Sequence, residues 1–104
     1  MINTPDIMNR IQADFGRNAD DAVKILEEAT SKYDYLNDDR IIRCIIFLSE
    51  KKVEGLKHRI NQAMEDTRDV MLWAEYTNLE ANETPKRVRD FNKTFETCEN
   101  GVME

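Results

Sequence analysis

Apolar residues recur every three or four positions along most of this chain, the period of a helix rather than a strand. Ile7, Ile11 and Phe15 share one face after Thr4-Pro5, a cap residue followed by a proline suited to the first helical position. Gly16 suits the stop, so a first helix is expected over about 5–15. Asn18 can cap a second helix whose inner stripe is Ala22, Val23, Leu26, Ala29 and Tyr33. "YDYLNDD" closes it and offers Asp38 or Asp39 as the next cap. The third helix, about 39–50, carries Ile41, Cys44, Ile45 and Leu48 on one face and Ile42, Ile46 and Phe47 on the others. A helix that is apolar nearly all round is buried nearly all round. Its one polar edge holds Arg43 and Glu50.

A fourth helix reads as one long element over about 53–80, on the order of 40 Å. Leu56, Ile60, Met64, Thr67, Met71 and Ala74 form its stripe. From Asp69 onward a second set, Leu72, Trp73, Tyr76 and Leu79, lies almost opposite. One bundle core cannot cover both. Burying each of these large side chains contributes roughly 1.5–3 kcal/mol, so the second set needs a cover. After the linker "NLEANETP", Thr84-Pro85 repeats the Thr-Pro start and opens a capping segment or short fifth helix with Val88, Phe91 and Phe95 on one side. The sequence favours laying this segment over Leu72, Trp73 and Tyr76. A homodimer seam along the long helix is the other cover, and the two can coexist; a ligand groove between helix and tail is a lesser reading.

Composition supports the helical reading. Among 104 residues there are only three Gly and two Pro, too few for the turns of a β-sandwich. The expected fold class is therefore all-α: a single domain, with a compact antiparallel bundle of four helices over about 1–80 and a linker, capping segment and frayed tail over 81–104. Lys and Arg number 15 against 21 Asp and Glu, a net charge of −6. That balance argues against general affinity for nucleic acid or an anionic membrane. "MINTPDIMNR" has no apolar signal core and "CIIFL" is too short to span a bilayer. Cys44 and Cys98 sit in unlike contexts, one apolar and one polar, so a reducing cytoplasm is expected rather than a disulfide framework.

Charge adds one structural expectation. Asp66, Arg68 and Glu75 read as a solvated face, but Asp69 projects between Leu72, Trp73 and Tyr76, and a carboxylate there needs a cation. Arg43 is the first candidate, forming a buried ion pair, with Arg40 or Arg89 next. The chemical motifs are thin. Cys44 and His58, the one nucleophile-and-base pair to test, fall on unlike faces. No Cys/His spacing fits a metal, and the glycines are isolated from any phosphate loop. No catalytic, cofactor or metal residues are assigned. The function expected is a non-enzymatic, cytoplasmic protein-interaction or adaptor domain, self-associating through the fourth helix, with a protein or itself as partner. The alternative is a nucleic-acid-linked accessory protein using Lys86, Arg87, Arg89 and Lys93 around Phe91.

Overall fold

A computed structural model describes residues 4–77, 86–87 and 89–95. Five α-helices occur among them: α1 Pro5–Phe15, α2 Ala19–Lys32, α3 Asp39–Leu48, α4 Val53–Glu65 and α5 Thr67–Glu75. Short 3₁₀ turns, Gly16–Asn18 and Asp34–Leu36, join the first three. The fold is all-α. A two-residue antiparallel bridge, β1 Tyr76–Thr77 with β2 Lys86–Arg87, pairs Tyr76 with Arg87 and Thr77 with Lys86.

The helix ends follow local chemistry. Pro5 opens α1, and Gly16 closes it at φ +51°, a conformation that disfavours any side chain. Thr4 does not cap α1 through its hydroxyl, which donates to both carboxylate oxygens of Asp39 (3.1 and 3.0 Å). Asp38 caps α3 by accepting from the backbone N–H groups of Arg40 (2.8 Å) and Ile41 (3.3 Å). Helix α3 is central: Ile41, Ile42, Arg43, Cys44, Ile45 and Ile46 are all buried, and it packs on α1, α4 and α5.

The α3–α4 connection is tight. Glu50 and Lys51 both take positive φ, +57° and +65°, each at a cost of about 1–2 kcal/mol relative to an ordinary helical residue. Ser49 is buried beside them, its hydroxyl donating to the Ile46 carbonyl at 2.6 Å. Gly55, in the first turn of α4, lies so close to the Ser49 carbonyl that a Cβ there would overlap the oxygen.

The expected long fourth helix is two helices. Asp66 breaks it at φ −160°, ψ 110°. Its N–H still donates to Gln62 O (3.0 Å), ending α4, while its carboxylate accepts the Arg68 N–H (2.9 Å), starting α5. Asp66 through Asp69 thus forms a cap with a second acid three residues on, the pattern of a helix start. The inward stripe of α4, Leu56, Ile60 and Ala63, continues across the break as Val70 and Ala74 of α5. Val70, Ala74 and Glu75 turn fully inward, whereas Leu72 and Trp73 stay 38% and 37% exposed.

The expected short fifth helix is not what Lys86 and Arg87 form. They lie in the β bridge, and Phe91 and Asn92 lie in a turn. Val88, Leu79 and Cys98 fall outside the described residues. No helix of the described residues is long and apolar enough to cross a membrane.

Candidate interaction surface

Helix α5 has two faces, one lined by buried charge and one open to solvent. On the inner face, two arginines of α3 three residues apart each grip a carboxylate. The Arg43 guanidinium donates to Asp6 through Nε and Nη2, both at 2.9 Å. Arg40 donates to Glu75 through Nε (3.0 Å) and Nη2 (2.5 Å). These are forked, charge-assisted pairs. The Glu75 side chain is wholly buried, and the Asp6 and Arg43 side chains nearly so.

Each carboxylate also takes a backbone N–H from the tail. Phe91 donates to Glu75 (2.9 Å) and Phe95 to Asp6 (3.0 Å), while Arg43 Nη1 donates to the Phe91 carbonyl (3.0 Å). Burial pushes the Asp6 carboxyl up. The Arg43 hydrogen bonds, the Phe95 N–H and the guanidinium charge outweigh burial, so the carboxyl lies below its ordinary range. Hydrogen bonding to Glu75 raises the Arg40 guanidinium, against a smaller opposing effect of burial. Among the described residues no buried side-chain nitrogen or oxygen lacks a partner.

This corrects the expected Asp69–Arg43 pair. Asp69 is exposed on the first turn of α5, because the face it shares with Leu72 and Trp73 is itself open to solvent. Arg43 is buried, not on a polar edge, and its acid is Asp6. Glu75, read as solvated, is the buried acid of α5. Asp6 and Glu75 were legible only indirectly: guanidiniums on a helix apolar all round require carboxylates from other elements.

The tail folds back, but onto a different surface from the one expected. Phe91 and Phe95 are 0% and 4% exposed. Phe91 packs on Phe47 (centroids 5.4 Å apart) and on Phe95 (5.7 Å). Arg10 lies 4.7 Å from the centre of the Phe95 ring. The segment therefore closes the junction of α1, α3 and the end of α5. It does not cover Leu72 and Trp73, and Tyr76 is half-buried.

The candidate basic contact is likewise divided. Arg89 donates from Nη1 to the Ala74 carbonyl (3.0 Å) and stacks on Phe47 at 4.4 Å, so its charge is spent on the fold. Lys93 is exposed. The side chains of Lys86 and Arg87 lie outside the described set.

The open face of α5 carries Leu72 and Trp73 side by side. With Tyr35, they are the large apolar side chains exposed among the described residues. Arg59 of α4 stands over Trp73, 5.8 Å from the ring centre. Its Nε donates to the Leu48 carbonyl (3.3 Å) and its Nη1 to Gln62 Oε1 (2.8 Å). Sequence reasoning found Leu72 and Trp73 but missed Arg59, whose placement depends on the turn at Asp66 bringing α5 back along α4. Comparison with protein-family models, with curated proteins and with solved structures gives no match.

Proposed function

We propose that this chain is a non-enzymatic protein-interaction module that docks a partner on the outer face of α5. The observation that carries the reading is the adjacent exposure of Leu72 and Trp73 on a helix whose inner face is fixed by the Arg40–Glu75 pair. Tryptophan and arginine are the residues most enriched where binding energy concentrates in interfaces, and Arg59 already stacks on Trp73. A rigid helix presenting an aromatic anchor is preorganised, which lowers the entropic cost of association. The buried acids, by contrast, have their oxygens engaged by guanidiniums and tail amides, which fits a structural role. The inward turn of Arg89 removes one cation from the basic segment on which a nucleic-acid reading would rest. Cys44 as a buried thiol agrees with a cytoplasmic setting.

The test is site-specific photo-crosslinking in native extract. A crosslinker in place of Leu72 should give discrete adducts that one in place of exposed Lys24, on α2, does not. Identical adduct patterns from the two positions would overturn the reading.

A further inference from the structure

Most arginines described in the bundle face a carboxylate. Arg10 pairs with Asp14, Arg40 with Glu75, Arg43 with Asp6 and Arg68 with Asp66. Arg59 does not: among the described residues its acceptors are a backbone carbonyl and a neutral glutamine amide. Its Nη2 has no acceptor there. A half-buried guanidinium retains an unspent preference for an anion, and its planar fork suits a carboxylate. The guanidinium carbon lies 5.8 Å from the centre of the exposed Trp73 ring.

We infer that the outer face of α5 takes an acidic segment of a partner protein, with an apolar side chain on Leu72 and Trp73 and a carboxylate on Arg59. The inference rests on the docking reading above and specifies its partner. Three further observations select a segment over a second copy of this chain. The exposed parts of Leu72 and Trp73 amount to roughly 150 Å², about a third of large side chains, whereas a stable dimer buries about 800 Å² per subunit. The nine-residue α5 is also only about 14 Å long. The net charge of −6 opposes self-association, while screening over about 8–10 Å leaves the local cation in control at the site. The patch is electrostatically lopsided. Exposed Asp69 lies one turn before Trp73, and Arg68 is held by Asp66. The segment's acid therefore points toward α4 rather than toward the start of α5.

Trp73 is the one tryptophan of the chain, so its fluorescence reads the site directly. Three short synthetic peptides serve as probes in the full-length protein: one alternating Glu with Leu, one with Lys in place of Glu, and one with Ser in place of Leu. The Glu-Leu peptide should give a saturable blue shift that weakens with added salt, and the other two should not. Arg59→Gln should weaken that binding on the order of tenfold, the value of a charge-assisted contact. Leu72→Asp, at an exposed position, should abolish it with the circular dichroism spectrum unchanged. Equal response to the Lys-Leu peptide, or no saturable response to Glu-Leu, would overturn the inference. A blue shift that depends on protein concentration alone, with dimers in sedimentation, would overturn it in favour of a second copy. Crosslinked adducts at Leu72 without Glu-Leu binding would overturn this partner chemistry while leaving the docking face standing.

Discussion

Replacing Glu75 with alanine should be far more damaging than any other acidic substitution on α5. The carboxylate is fully buried and accepts two contacts from Arg40 and one from the Phe91 N–H. Its removal strands the Phe91 amide in the core, a desolvation cost of about 1–3 kcal/mol. It also leaves Arg40 without its acid. The Arg40 side chain is 30% exposed, so water recovers part of that loss, and the lower half of the 3–5 kcal/mol range for breaking a buried pair applies. The two effects overlap, and a loss of about 3–4 kcal/mol is expected. Against a total stability of roughly 5–15 kcal/mol for a domain, that is a large fraction. Asp69→Ala, at an exposed position, should change stability by no more than about 0.5 kcal/mol. Urea denaturation followed by far-ultraviolet circular dichroism measures both, with the slope unchanged if both act on the native state. Losses that are small and equal for the two variants would refute the buried clamp and with it the phase of α5.

Three further outcomes follow from the same geometry. The folded Asp6 carboxyl lies below its unfolded value of about 3.9, so its stabilisation is full above that pH and is lost as pH falls through the lower folded value. Asp6→Asn should accordingly be less stable at neutral pH and show a flatter acid limb in stability measured from pH 5 downward. Truncation before residue 86 removes Phe91 and Phe95 from the core, each on the order of 3–5 kcal/mol, and should abolish cooperative thermal unfolding rather than merely expose Trp73. Gly55→Ala should cost about 1–3 kcal/mol by overpacking against the Ser49 carbonyl, whereas Lys51→Gly relieves a positive φ and should stabilise by up to about 1 kcal/mol; chemical denaturation of both variants checks the pair.

The periodic signals were the readable part of this fold. The stripe Ile7, Ile11, Phe15 placed α1, and the apolar run Ile41–Ile46 marked the central helix, because burial dictates those patterns directly. The break at Asp66 was missed for a physical reason: an acid can sit on a solvated helix face or cap a new helix, and the hydrophobic stripe continues across it. The capping pattern Asp66–Asp69 was the available clue. Asp69 was placed inside because the face it shares with Leu72 and Trp73 was expected to be covered, and that face is open; Glu75 borders the inner stripe beside Ala74 and is buried against Arg40 and the Phe91 amide. Ion-pair partners distant in sequence, Arg43 with Asp6 and Arg40 with Glu75, depend on tertiary packing that periodicity does not encode. Leu72 and Trp73 were singled out as a set apart from the bundle stripe, and of the two covers expected for them the tail residues Phe91 and Phe95 pack elsewhere.

The tail is held by its main chain as well as by side chains. Asp6 and Glu75 grip the amides of residues 95 and 91, Arg43 grips a carbonyl, and Arg89, Phe91 and Phe95 anchor the segment by their side chains, while Asn92 and Lys93 are exposed. Selection on such a segment sees a spacing rather than a word. Drift at positions 92 and 93 should be wide, and proline should be barred at 91 and 95 because it has no N–H to give. Among related chains this stretch would align poorly by letter yet keep its ring spacing, and in engineering it marks a short exposed window where foreign residues can be carried without disturbing the bundle.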